Sequence, residues 1–521
     1  MHATCPAQLL RLLLTACVCA AVHLRSGYPS DGDDLTINTD KGRVRGVRFF
    51  LSNLNVTVSS FLGIPFAEPP VGSLRFKHPQ PKAPWRNVLH AVNLPNSCYQ
   101  NPDDVFGEFY GSSMWNSPTP VSEDCLYLNV WVPDTHPRLQ KAAVLVWIFG
   151  GGYYSGTTTL DLYDGKLLAA MNNVIVVSVG YRVGAMGFLT LDHEEAPGNA
   201  GLFDQLMALD WVQQNIHRFG GDPHNVTLFG ESAGAVSVSM HLLSPLSRNK
   251  FQRAILQSGS AAAPWATYRY DEGRRRALRV AQLFECEFPD NMELTANCLR
   301  NIDAQRIVDE QWVSRGVAQF PFVPVIDGVF LIEPPMTSLN QGRFKPCPIL
   351  LGSNANEGSF FNIYEMLDHV NLNRQLLDHN LYKHSVDNLF FHYPQWSQEQ
   401  NDDDRTLVLD AIAFQYSDWL HINDTYKNFA ALDQATGDAM FVCGVNALAW
   451  AYAVRGNHVF YYYFTQRYAH NPWPEFMGVL HGDEILFVFG EPFKTHTVFT
   501  DDEKQLSRKM MSFWSNFARS G

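Results

Sequence analysis

No Pro/Ser-rich linker, internal repeat or low-complexity tract divides this sequence, although its 521 residues would allow about three domains on length alone. That absence predicts one large catalytic domain over residues 28–521. Charge is sparse, at 17% of residues, and basic side chains are fewer than acidic ones, 39 against 52. The net charge of −13 repels nucleic acid and anionic membrane and draws in cations, so no nucleic-acid partner is expected and a cationic small molecule fits the field. No C-x-x-C pair or histidine cluster is present, so neither a metal nor a cofactor is expected. Long apolar runs are missing as well. The N-terminal run over residues 9–22 is too short to span a membrane comfortably and no stop-transfer segment follows. It reads as a cleaved signal peptide ending near residue 27, which predicts a secreted, extracellular protein.

What the chain does have is apolar bulk, 46% hydrophobic and 13% aromatic, ample for a large core. Sequons at Asn55 and Asn423 agree with secretion, whereas Asn225 abuts an apolar strand and is expected to be blocked. Outside the presumed signal, Cys98 with Cys125 and Cys286 with Cys298 can each close a compact surface loop under oxidising conditions. Cys347 is expected to be a buried free thiol rather than a bridge to Cys443, which leaves Cys443 to find a partner elsewhere.

Apolar β-type runs fall at residues 142–149, 173–179, 226–229, 254–257, 348–351 and 458–464, with helix-like spacing between them at 200–216 and 273–284. Such alternation predicts an α/β fold, a large and mostly parallel sheet with helices on both faces. Active groups should then gather beyond the C-terminal ends of the strands.

One of those ends carries Gly230-Glu231-Ser232-Ala233-Gly234, with a strand before it and a helical pattern after it. Strand, G-x-S-x-G and helix in that order form a nucleophile elbow, in which the glycines let the chain turn sharply and present Ser232. A second strand end carries Gly150-Gly151-Gly152, whose backbone N–H groups can approach an oxyanion. Gly151 and Gly152, with the N–H of Ala233, are the expected oxyanion hole. Hydrolases of this architecture take their carboxylate and histidine from later strand ends, in that order. Glu357 follows the run at 348–351 and His481 follows the run at 458–464, so these two are expected to complete the triad.

These segments, together with Phe61-Leu62-Gly63-Ile64-Pro65-Phe66-Ala67, Ser122-Glu123-Asp124-Cys125-Leu126-Tyr127-Leu128-Asn129, Phe219-Gly220-Gly221-Asp222-Pro223 and Phe322-Val323-Pro324-Val325-Ile326-Asp327-Gly328, resemble the cholinesterases, within the carboxylesterase branch of the α/β-hydrolases. The resemblance runs from about residue 35 to residue 521 and implies an α/β-hydrolase fold and a serine esterase acting on choline esters. It matches Trp115, inside the Cys98 to Cys125 loop, to the choline-binding tryptophan, with Glu231, Phe360 and Tyr154 around the same group. A quaternary ammonium cannot donate a hydrogen bond and is best held over an aromatic face. Asp103, Tyr364 and Trp312 match residues of the gorge and its entrance.

Trp265, Ala318, Phe320 and Phe361 fall on the acyl pocket, where only one of the two restricting aromatics is kept. Ala318 in place of the other implies room for propionyl and butyryl esters beside acetyl, unless another side chain refills the space. Asn101 stands where relatives carry a tyrosine at the gorge mouth, and Asp483 follows His481-Gly482, both leaning toward an invertebrate enzyme. A homodimer through the helix-like stretch 501–518 is a further implication, although such a helix can equally pack on its own domain. The chain stops without the segment that carries the family's last cysteine, so a membrane or tail attachment is not visible in it. Two rival readings share the scaffold. A general carboxylesterase has no need of Trp115 with Asp103, and a neuroligin-like adhesion protein usually lacks the nucleophile.

Overall fold

The computed structural model of the chain describes residues 35–134, 141–313, 320–372, 374–375, 377–391, 402–495 and 498–521. The signal-peptide reading of residues 1–27 and the acyl-pocket reading of Ala318 lie outside them. Among the described residues nine strands make one sheet. In chain order they are β1 (Val47–Leu51), β2 (Val56–Pro65), β3 (Tyr127–Pro133), β4 (Ala142–Ile148), β5 (Ile175–Val179), β6 (Gly221–Glu231), β7 (Arg253–Gln257), β8 (Ile349–Asn354) and β9 (Val459–Phe464). Side by side they run β9-β8-β7-β6-β4-β5-β3-β2-β1. All pairs from β9 to β5 are parallel, and β3, β2 and β1 are added antiparallel.

Composition explains the layout. β5 (Ile-Val-Val-Ser-Val) is buried throughout and β4 after its first residue, as parallel strands covered on both faces must be. The three antiparallel strands escape a search for continuous apolar runs because polar residues interrupt them. β5 begins two residues later than expected, since Asn173 adopts a left-handed conformation that ends the helix Lys166–Asn172. β6 begins five residues earlier, at Gly221, and carries an irregularity before Val226 that absorbs Pro223.

Helices α1 (Ala200–Asn215), α2 (Ala233–Leu243), α3 (Tyr270–Leu283), α4 (Thr425–Gly437) and α5 (Asp501–Ser520) bracket the functional segments. α5 opens on a capping box between Thr500 and Glu503. It buries Met510, Met511, Trp514 and Phe517 on its own domain, where the Trp514 indole N–H donates to Gln257. Phe513 on the same helix remains exposed.

Beside the main core, a second apolar cluster around Ile363, Tyr382, Phe429, Trp473 and Leu480 joins α4 to the segment leading into His481. Both expected disulfides are formed, Cys98–Cys125 and Cys286–Cys298. Cys347 is free and buried, and Cys443 is free and exposed. Asn55 and Asn423 are exposed, whereas the Asn225 amide is engaged by Arg253 and by the carbonyl of Arg519.

Candidate active site

Ser232 joins β6 to α2 with φ +55° and ψ −124°, a conformation that costs on the order of 1–3 kcal/mol in a non-glycine residue. The strain sits on the serine itself, not on its flanking glycines, which have ordinary negative φ. Those glycines are required by closeness instead. A Cβ on Gly230 would come within 2.6 Å of the Gly234 backbone, and one on Gly234 would overlap the Ile148 carbonyl. The Ser232 N–H donates to the Gln257 carbonyl on β7, and its own carbonyl accepts from the Val236 N–H in the first turn of α2.

Glu357 stands three residues beyond β8 and is almost wholly buried. One carboxylate oxygen accepts the Ser258 hydroxyl at 2.5 Å and the Asn354 N–H at 2.6 Å. The other lies 2.6 Å from His481 Nδ1. A carboxylate only accepts, so the His481 proton is held on Nδ1 and Nε2 is left as the basic nitrogen. Among the described residues Nε2 makes no hydrogen bond, although it lies 3.1 Å from an oxygen of Glu231, the neighbour of Ser232.

Burial pushes the Glu231 carboxyl up to about 8, the nearby imidazole opposes that rise, and the carboxylates of Glu484 and Glu357 add to it. Burial also disfavours the charged form of His481, but the carboxylates of Glu231 and Glu357 outweigh it and raise the histidine to about 9. The site is thus built to favour an imidazolium. It stabilises the charge that the histidine acquires on taking a proton.

Gly150-Gly151-Gly152 leaves β4 directly against the elbow, since a Cβ on Gly150 would lie 2.9 Å from the Ser232 Cβ. Gly151 and Gly152 have φ of +117° and +58°, and a Cβ on Gly152 would press on Tyr154 at 2.6 Å and Phe320 at 2.9 Å. Ala233 opens α2, so its N–H belongs to the unpaired, electropositive first turn beside the serine.

The Cys98–Cys125 bridge closes the loop that carries Trp115. Its indole edge faces the turn after the histidine, because a Cβ on Gly482 would sit 3.3 Å from Trp115 Cη2 and 3.8 Å from Glu231 Oε1. Asn116, the next residue, holds Asp103 by donating to its carbonyl at 2.8 Å and accepting its N–H at 2.7 Å. The Tyr364 hydroxyl donates to the Asp103 carboxylate, and burial together with that partner drives the phenol well above its usual range. Phe360 packs between Tyr364 and Trp473, with ring centres 5.0 and 5.6 Å away.

Tyr154 contacts Trp312 at 4.9 Å and Phe320 at 5.6 Å. Trp265 stands edge-on to Phe320 at 5.2 Å. Phe361 lies 5.3 Å from the His481 ring, and Phe441 is closer still, at 4.3 Å. Phe441 also reaches Trp265 at 5.9 Å and Phe361 at 5.2 Å, so one unbroken aromatic wall runs from Trp312 to Tyr364. Sequence reasoning missed Phe441. It sits on a π-helical turn, Asp438–Val442, and an extra residue in a turn leaves no mark in hydrophobic spacing. At the rim, Asn101 accepts from the Gln305 side chain at 2.6 Å. Among the described residues no group of three His, Cys, Asp or Glu side chains is arranged to hold a metal ion.

The family model described as "Carboxylesterase family" matches residues 33–521. The acetylcholinesterase of Bungarus fasciatus is 46% identical over 516 residues, which cover 98% of this chain and 82% of that protein. Acetylcholinesterase of Electrophorus electricus is 45% identical, covering 94% of this chain and 80% of the relative. Acetylcholinesterase 1 of the nematode Caenorhabditis briggsae is 42% identical, over 99% and 82% respectively.

Proposed function

Because the chain belongs to the carboxylesterase family, we propose that it is a serine esterase that hydrolyses choline esters, acetylcholine foremost, to choline and a carboxylic acid through an acyl-serine intermediate. The observation that carries this reading is the arrangement around His481. Glu357 fixes one ring nitrogen at 2.6 Å, the other makes no hydrogen bond and lies 3.1 Å from Glu231, the residue before Ser232, and an aromatic wall begins at the same ring.

His481 takes the proton of Ser232 as its oxygen attacks the ester carbonyl. The N–H groups of Gly151, Gly152 and Ala233 receive the developing oxyanion. His481 then returns its proton to the departing choline oxygen. Water attacks the acyl-serine by the same route in reverse, with His481 again as the base. Trp115, Phe360 and Tyr154 hold the trimethylammonium group, with Glu231 supplying a polar neighbour. Asp103 with Tyr364, and Trp312 further out, meet the cation at the entrance, in keeping with the net charge of −13.

The test is a panel of acetylcholine, propionylcholine, butyrylcholine and the neutral isostere 3,3-dimethylbutyl acetate. Acetylcholine should exceed the isostere in kcat/KM by about 10-fold or more. Parity between the two would instead mark a general carboxylesterase. Within the choline series, Trp265, Phe320 and Phe361 line the acyl side, and the proposal expects propionyl and butyryl esters to be accepted. A comparable collapse of kcat/KM for both would count against the broader acyl tolerance.

The base must be neutral to act, so activity is present above the His481 pKa and is lost as pH falls through it. Glu231 is the largest of the influences raising that pKa. E231Q removes its negative charge, the imidazolium loses support, and the acid limb of kcat/KM should move to lower pH by about one unit. A limb that stays in place or moves to higher pH contradicts this assignment.

Among the described residues no helix is long and apolar enough to cross a membrane. Export from the cell is part of the proposal, supported by two disulfides and by the exposure of Asn55 and Asn423 as glycosylation sites.

A further inference from the structure

Glu357 and His481 lie on separate loops, and Asn356, the residue before the carboxylate, joins them. Its N–H donates to the Val479 carbonyl at 2.9 Å, and its side-chain oxygen accepts the Val479 N–H at 2.9 Å. Val479 is two residues before His481. The other end of the carboxamide, Nδ2, donates to the Asp433 carboxylate at 2.8 Å. Asp433 is buried on α4, which presses on the same turn, since a Cβ added at Gly358 would overlap the Asp433 carbonyl. From the other side, a Cβ on Gly478 would overlap Asn356 Oδ1.

We propose that Asp433 is a positioning residue for the triad, setting the Glu357–His481 contact by fixing which end of the Asn356 carboxamide faces the histidine loop. The amide has one accepting and one donating end, and the Val479 N–H requires the acceptor. A carboxylate at position 433 takes the NH2 group, so only one orientation satisfies both partners. With the amide flipped, two buried donors would face each other and the loops would part. The inference rests on Glu357 and His481 being the acid and base of the proposed esterase, so both are tested together.

The experiment measures kcat and KM for acetylcholine and the neutral acetate in D433L, D433N and E357Q, with the His481 Nδ1 proton followed by NMR. D433L, which keeps the branching at Cγ but puts two bulkier methyl groups in place of the oxygens and so has no acceptor, should lower kcat about 10-fold or more on both esters and move the downfield proton upfield, while KM changes less than about 3-fold. D433N keeps an accepting oxygen and should return kcat to within about 3-fold of the wild type. A merely structural role would not give a kcat-selective loss rescued by asparagine. Wild-type kcat in D433L, or equal impairment in D433N, overturns the proposal. If D433L fails to fold, N356A decides, because it removes the carboxamide and leaves Asp433 in place. A fall in its kcat of about 10-fold or more supports the proposal, and a smaller change overturns it. E357Q at full activity overturns the esterase reading itself and the proposal with it, whereas an impaired E357Q beside a normal D433L overturns the proposal alone.

Discussion

Replacing Ser232 by alanine should lower kcat for acetylcholine by about 10^5- to 10^6-fold while leaving the melting temperature unchanged. The size follows from the way a triad works, since removing the nucleophile costs about as much as removing all three members together. Stability should be preserved because alanine keeps the Cβ and the backbone torsions of the elbow, at φ +55° and ψ −124°. The Ser232 contacts that tie the elbow to β7 and α2 are main-chain bonds, which the substitution leaves intact. What remains is binding plus the oxyanion donors. Stopped-flow hydrolysis together with thermal unfolding checks both halves, and a variant retaining more than about one per cent of the wild-type rate would move the nucleophile elsewhere.

Replacing Trp115 by alanine should separate recognition from chemistry. A trimethylammonium group offers no N–H, so neither Glu231 nor Asp103 can hydrogen-bond it, and a desolvated indole face contributes about 2 kcal/mol of attraction. The loss should appear as an approximately 30-fold fall in kcat/KM for acetylcholine. For 3,3-dimethylbutyl acetate, the same shape without the charge, the fall should be only a few-fold and reflect lost packing. The indole lies beside Gly482 and Glu231, so its removal also opens space next to the catalytic turn. Measuring both substrates controls for that. Equal losses would show that Trp115 serves the site as packing alone.

The elbow could be read from the sequence because everything that makes it is local: five residues, a strand before and a helix after. The pairing of Glu357 with His481 was legible for a different reason, since loops that leave parallel strands collect on one edge of the sheet. The reason for the glycines was misjudged. Gly230 and Gly234 are required by the approach of neighbouring backbone, which only three-dimensional packing reveals.

Phe441 escaped because a π-helical turn rotates it out of the pattern that spacing predicts. Asp433 escaped because its partner is 77 residues away and its own helix carries no sign of the contact. Cys443 could be listed as unmatched from composition, and the structure leaves it exposed and free. The antiparallel strands β1 to β3 were lost among polar interruptions, although β2 and β3 contain segments by which the family was recognised.

The Cys98–Cys125 bridge encloses Trp115, Asp103 and Asn116 but none of Ser232, Glu357, His481 or the oxyanion glycines. The covalent constraint therefore falls on the segment proposed to recognise the cation, whereas Glu357 and His481 are joined to each other by hydrogen bonding alone. The crosslinked loop still touches the rest of the site, through Gln100 on Gly156 and Trp115 beside Gly482.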